Sequence, residues 1–394
     1  MTELTTPAPT PTRRRLGGRI QWRALTITVA AIILALIAGA ILMIVSDPDV
    51  ISLYAYLFSA PALPLGASWE KVSSAYAAMA IGAVGSPAAL AATTREAAPL
   101  ICAGLGVGLG FRAGLFNIGA QGQAIMAAIL AAWVGFALQL PPVIHILVAM
   151  LAGVVGGSLW GGIVGWLKAK TGAHEVIVTI MFNYIAIGTL AWLLTTNAFQ
   201  RPGRTDPISP PVHGTSAFPT IYGQLHVGFL VALLAAFLTW WVIDRSTIGF
   251  QIRAVGANPH AAGTAGMDVA RMTIITMTLA GLLAGLAGVQ YAIGPGANGV
   301  PTPLSQGLVG TVGFDAITVA LLGRSRPLGI VFAGLLFGGL HAGGLSMQSI
   351  AGTPLTLSMV LQALIVLFVA APGLVRTIIP FLRERRAVPA GGQA

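Results

Sequence analysis

The sequence predicts an all-α integral membrane protein of about ten transmembrane helices, and three observations carry that prediction. Only 8% of the residues are charged against 56% hydrophobic, and the mean hydropathy is +0.86. Soluble domains carry about a quarter charged residues, and no water-soluble fold covers its surface with so few, so lipid is the solvent for most of this chain. The apolar residues are gathered into runs of roughly 17–25, the length that crosses a hydrocarbon core. The basic residues behind the net charge of +10 fall in short clusters between those runs, as the positive-inside rule expects, rather than in a stripe suited to nucleic acid.

The first element follows a Thr- and Pro-rich stretch and the arginines Arg13 to Arg15, Arg19 and Arg23. Residues 1–23 read as a disordered basic cytoplasmic tail. The apolar core from Ala24 to Val45 exceeds the ~7–15 residues of a signal-peptide core, and Ser46, Asp47 and Pro48 close it without a small-x-small site. It reads as an uncleaved first helix. Further spans are expected at 94–111, 118–138, 143–167, 176–195, 225–243, 272–292, 307–323, 327–344 and 355–372, the second and eighth being short or polar. The membrane domain is thus 24–372, and 373–394 is a second basic cytoplasmic tail.

Alternating these spans from a cytoplasmic N-terminus tests the count. Seventeen Lys and Arg then lie inside, and four, Lys71, Arg95, Arg201 and Arg204, lie outside. Removing one span would reverse every later loop and destroy the asymmetry. Two outer segments are long. Residues 46–93 contain an amphipathic stretch, Trp69 to Val84, expected along the outer interface. Residues 196–224 carry Pro202, Pro207, Pro210, Pro211 and Pro219, which forbid a long helix. Among the 50 glycines, Gly153, Gly157, Gly161 and Gly165 form a ridge on one helix face, and Gly104/Gly108, Gly281/Gly285 and Gly334/Gly338 repeat the spacing. Such ridges pack helices within a bundle or against a second subunit.

The chemistry that is missing narrows the function. The three lysines follow no glycine, so there is no Walker A phosphate loop. His174-Glu175 begins a zinc-protease motif, but position 178 is Val. There is no nucleophile elbow, and Cys102 is alone, a small packing residue with no disulfide or multi-cysteine metal site to join. No catalytic residue, metal site or cofactor is expected.

Polar residues interrupt the apolar pattern at four places. In FRAGLFNIGAQGQ, Asn117, Gln121 and Gln123 bring amides to a membrane-depth turn, where they either cap the break or border a polar path. Asn183 and Tyr184 lie about two turns into the helix begun by His174 and Glu175; a lone Asn there either ties two helices together or faces the path. Asp315, in GFDAITVALLG, reads as the one carboxylate within an apolar segment, either functional or capping a half-helix. The fourth place, GFQIRAVGANPHAAGTAGM at Gly249 to Met267, falls in the largest inner loop. There Asn258 is a good N-cap, Pro259 suits the first helical position and Gly266 can end a short helix. That helix is either an ordinary connector or a piece shaped to dock into a partner's groove.

In order and spacing, REAAPLICAGLGVGLGFRAGLFNIGAQGQ, EVIVTIMFNYIA, GFQIRAVGANPHAAGTAGM and GFDAITVALLGRSRPLGI resemble permease subunits of ABC importers, in the family that includes ribose, branched-chain amino-acid and nucleoside systems. The resemblance runs from about Arg95 to Pro372 and is nearest to nucleoside permeases that work with basic-membrane-protein-type receptors. It implies that Arg253, Ala254, Gly256, Asn258, Pro259, Ala261 and Ala262 belong to a coupling segment that inserts into a separate cytoplasmic ATPase, the only user of ATP. It implies that the segments holding Asn117, Gln121, Gln123, Asn183 and Tyr184 border the solute pathway, with Asp315 a further candidate. The branch usually has an acidic residue where this chain has Gln121. The expected partners are that ATPase, a second permease subunit, an extracytoplasmic receptor protein or lipoprotein, a small solute and lipid, but no nucleic acid. The expected location is the bacterial cytoplasmic membrane. Ribose-like sugars and branched-chain amino acids are the alternative solutes, and an ion-coupled secondary transporter is the rival of another class.

Overall fold

A computed structural model describes residues 22–378. Most of the N-terminal tail and the basic end of the C-terminal one lie outside these residues. The described chain is helical almost throughout. Helix α1 (Trp22–Ser46) leads into α2 (Pro48–Leu53), and Asp47 between them caps α2 by accepting from the backbone N–H of Asp49 and Val50. Asp47 also pairs with Lys71 Nζ at 2.8 Å, and that hydrogen bond holds its carboxyl below the usual carboxylate range.

The next two helices, α3 (Ala62–Val84) and α4 (Pro87–Arg112), meet at an 80° bend. Then follow α5 (Ala120–Ala137), α6 (Pro142–Thr171) and α7 (Glu175–Leu193). The proline-rich stretch after α7 carries no helix and ends in a two-stranded ribbon, β1 (Thr220–Tyr222) with β2 (Leu225–His226). Five helices, α8 (Val227–Arg245), α9 (Thr247–Ala257), α10 (Pro259–Thr264), α11 (Val269–Ile293) and α12 (Val312–Leu322), precede α13 (Pro327–Ala351), α14 (Leu355–Ala370) and α15 (Pro372–Ile378).

Among the described residues seven helices are long and apolar enough to cross a membrane, eight if the bent pair α3–α4 is one span, and two shorter apolar helices lie in α12 and α14. Two expectations change in detail. The second span is not short: α4 runs 26 residues, because Ser86 caps it and Pro87 starts it well before residue 94. The eighth is shorter than drawn. Helix α12 has only 11 residues, about half a hydrocarbon core at 1.5 Å per residue, and Gly307 to Thr311 form turns instead. The stretch Trp69 to Val84 is helical throughout. It is the greater part of α3, whose small residues seat it on α13 and α1: Ala75 packs with Met347, and the Tyr76 hydroxyl donates to Leu36 O.

Helices α4, α5 and α11 form the centre. Every residue of α4 from Ala97 to Gly110 is buried, whereas α6 and α7 leave most of their apolar surface outside. In lipid that arrangement costs nothing, since acyl chains solvate Leu and Ile as well as a protein core does. The glycine ridge of α6 is spent within the chain. A Cβ on Gly157 would sit 2.4 Å from Gly281 O, and one on Gly281 would sit 2.2 Å from Gly157 O. Backbone meets backbone at this crossing, which only glycine on both sides allows.

Candidate functional site

Three polar places stand out in the apolar bundle. The first is the break between α4 and α5, where the sequence puts its amides. Asn117 Oδ1 accepts from Gly119 N at 2.9 Å, and Asn117 Nδ2 donates to Gln123 Oε1 at 3.2 Å. Asn183 reaches across from α7, accepting from Gly122 N at 2.8 Å and donating to Ile118 O at 3.0 Å. Gln121 faces the other way, toward α12. Its Nε2 donates to Gly310 O at 2.6 Å and its Oε1 accepts from Gly313 N at 2.8 Å. These bonds satisfy the backbone groups that the break exposes, as membrane depth requires.

Five of the six candidates are therefore not alike in setting. Asn117, Gln123 and Asn183 share one buried network, and Gln121 stitches α5 to the half-helix α12. Tyr184 is 71% exposed and points away from that network. The sixth, Asp315, sits in the first turn of α12, where a carboxylate complements the helix dipole, and accepts from Thr311 Oγ1 at 2.9 Å.

The second place is α9–α10, at the end of the bundle where α4 finishes. Asn258 caps α10 through a 3.0 Å bond from Ala261 N, Pro259 follows at the first helical position, and Gly266, at φ +83°, closes the segment in the left-handed region. Pro259 and Ala261 are exposed, while Ala262 is buried against Val255 and Met272, so α10 presents one face and anchors the other. Asn258 N donates to Ala254 O, ending α9, and Arg253 lies 3.7 Å from Asp244. Gly256 lies against the last turn of α4: a Cβ there would meet Arg112 O at 2.2 Å and Ala113 backbone within 2.9 Å. Arg112 in turn donates from Nε to Ser325 O at 3.0 Å, in the turn joining α12 and α13.

The third place is at the opposite end of α4. A cavity of about 240 Å³ is lined by Arg95 and Glu96 of α4, His226, Gln290 and Tyr291 of α11, and the backbone from Gly294 to Ala297. Arg95 pairs with Glu96, whose other oxygen lies 3.8 Å from His341 Nδ1 of α13. Gln290 is 5% exposed; its Nε2 donates to Cys102 Sγ at 3.2 Å, and its Oε1 has no hydrogen-bond partner. Pro99 also borders the cavity, and having no N–H it withdraws the helical bond that the Arg95 carbonyl would otherwise receive. A second cavity of about 360 Å³ adjoins the first, sharing Arg95 and Ala297 and adding Gln224, whose Oε1 is likewise unpartnered.

Comparison with known proteins assigns this architecture. Residues 89–370 match the family described as the permease component of branched-chain amino acid transport systems. The guanosine ABC transporter permease protein NupP of Bacillus subtilis is 38% identical over 366 residues, 92% of this chain and 98% of the relative. The chain belongs to this permease family. The nucleoside ABC transporter permease protein NupB of Lactococcus lactis is 33% identical, covering 79% of this chain and 87% of the relative. The glucose ABC transporter permease protein TsgB13 of Haloferax volcanii is 32% identical, covering 75% and 79%. No solved structure matches the chain.

The permease is thus a multi-pass membrane transport component of an ABC importer rather than an enzyme, and its family works with an ATPase and a solute-binding partner on small molecules. Among the described residues no group of three or more His, Cys, Asp or Glu is placed to hold a metal ion. One reading of the sequence needs correction. Asp315 is not the single carboxylate in an apolar segment, because Glu96 lies within α4, two residues into the predicted second span. The adjacent Arg95 masked it: a charged pair near a span's end reads as the span's boundary, whereas the helix begins nine residues earlier. Gln290 and His341 gave no signal, each being one polar residue in a long apolar run.

Proposed function

We propose that the permease carries nucleosides across a bacterial cytoplasmic membrane as one half of a dimeric pathway, driven by ATP hydrolysed in a separate subunit. The observation that carries the nucleoside reading is similarity to the guanosine permease over 98% of that relative's length. In this reading the chain has ten spans and both ends in the cytoplasm, with α10 on the ATPase side and the Arg95 cavities on the receptor side. Helix α10 is the coupling helix. Its capped, exposed face is suited to a groove in the ATPase, and Gly256 passes its displacement to the last turn of α4. The 32% identity to the glucose permease favours a sugar as the second reading.

The test is reconstitution of the permease with its ATPase, second permease subunit and receptor in proteoliposomes. ATP-dependent guanosine uptake is expected, insensitive to an uncoupler. Accumulation by the permease alone, or uptake abolished by the uncoupler but not by ATP depletion, would overturn the mechanism. Glucose uptake without nucleoside uptake would select the sugar.

A further inference from the structure

We propose that the two adjoining cavities at Arg95 are the permease's own solute site, and that they read a 6-oxopurine nucleoside, the base against Arg95, Glu96 and Gln290 and the sugar toward Gln224. The inference rests on the nucleoside reading above and adds which part of the permease recognises the solute and by what chemistry.

The first argument is an unsatisfied group. Buried amide carbonyls are almost always hydrogen-bonded, yet Gln290, a residue of the cavity wall, has a buried Oε1 that accepts nothing. An acceptor held in this way calls for a donor from outside the protein. The second argument is the pairing of opposite demands. Arg95 offers N–H donors at the cavity wall, and Glu96 and Gln290 beside it offer acceptors. A ligand filling both must carry acceptors and donors close together on one rigid frame.

A 6-oxopurine does. Its O6 and N7 match a guanidinium fork, and its N1–H supplies a donor to a carboxylate or an amide oxygen. Adenine puts an amino group where O6 would be, opposing donor to donor. Cytosine has no O6/N7 pair, and a hexose has no ring nitrogen. The third argument is size. Small-molecule sites run to roughly 300–1,000 Å³; the inner cavity, at about 240 Å³, is too small for that class alone and suits a base. The outer one, at about 360 Å³, shares the Arg95 wall and carries a second free amide oxygen on Gln224, which suits the hydroxyls of a pentose. Pro99, Tyr291 and Leu308 supply the apolar surface that a flat ring needs.

The experiment is equilibrium binding of radiolabelled solutes to the purified permease complex in lipid nanodiscs, without receptor. Guanosine and inosine are expected to bind at least tenfold more tightly than adenosine, cytidine or glucose. Gln290→Met and Glu96→Gln are each expected to weaken guanosine at least tenfold. Gln290→Met separates recognition from folding, since it removes the unpartnered oxygen and, with it, only the bond from Nε2 to Cys102 Sγ: its Tm should stay close to wild type while binding falls. Co-purification with the partner subunits checks that Glu96→Gln has folded. Equal affinity for all five solutes, or guanosine binding unchanged in both variants, would overturn the site. The failure of the broader reading looks different: the wild-type complex with receptor would then take up no nucleoside at all.

Discussion

Replacing Gly256 by Ala tests whether α10 works through α4. The added Cβ would lie 2.2 Å from Arg112 O and under 3.0 Å from two Ala113 backbone atoms, and none of these can rotate away as a side chain would. Restoring an ordinary 3.4 Å contact opens the α9–α4 junction by about 1.2 Å. Overpacking of this kind costs about 1–3 kcal/mol, which shifts a docked-to-undocked equilibrium roughly 5- to 150-fold. The assay is guanosine uptake per ATP hydrolysed in proteoliposomes with receptor. Uptake should fall at least fivefold, while ATPase no longer rises with liganded receptor. Gly188→Ala in α7 is the control, because nothing lies within 4 Å of its added Cβ and Ala is the better helix former. If Gly256→Ala transports like the control, the junction plays no part in coupling.

Two further outcomes follow from the α4–α5 break. Gln121 donates to Gly310 O and accepts from Gly313 N, which a protonated Glu can imitate and a carboxylate cannot. Gln121→Glu should therefore lose more of its Tm and uptake at pH 8 than at pH 6, by about 1–3 kcal/mol of unmet bonding; an equal deficit at both pH values would refute the two-bond geometry. Asn183→Ala should destabilise by a similar ~1–3 kcal/mol through its lost bonds to Gly122 and Ile118, whereas Tyr184→Ala, on an exposed face, should leave the stability within ~1 kcal/mol of wild type. Thermal unfolding in detergent reads both, and the reverse order would refute them.

What the sequence disclosed depended on whether the physics involved was local. Helix existence was legible, since each run needs only its own apolar residues. The cap of α10 was legible for the same reason: Asn258, Pro259 and Gly266 act within a few residues of one another. Distances across the chain were not. Nothing around Gly157 says that Gly281 faces it rather than a second subunit, because both pairings use the same small residues. Asn117, Gln121 and Asn183 were visible as polar interruptions, but their partners at Gly310, Gly313 and Ile118 are backbone groups, which no residue type announces. The cavity was hidden in another way. It is assembled from α4, β2, α11 and the loop after α11, each contributing one or two polar residues, too few to disturb its own segment.

The coupling and the solute proposals meet in α4. Arg95 and Glu96 stand near one end and Arg112 at the other, 17 residues or about 25 Å apart along the axis. Between them the helix is buried at every position from Ala97 to Gly110, and a Cβ on Gly106 would meet Ala280 O of α11 at 2.6 Å. A rod packed this closely has no room to bend midway, so a push on its last turn is delivered at its far end. The exception is Pro99, which removes one backbone bond next to the charged pair and leaves the helix softest where the solute would sit. Displacement of α10 would then reach Arg95 and Glu96 as a change in their angle to His341 and Gln290, on α13 and α11. The ion pair and the unpartnered amide are thus placed where ATP-driven movement could open the site and release its solute, with no charged residue along the path that has to break a bond on the way.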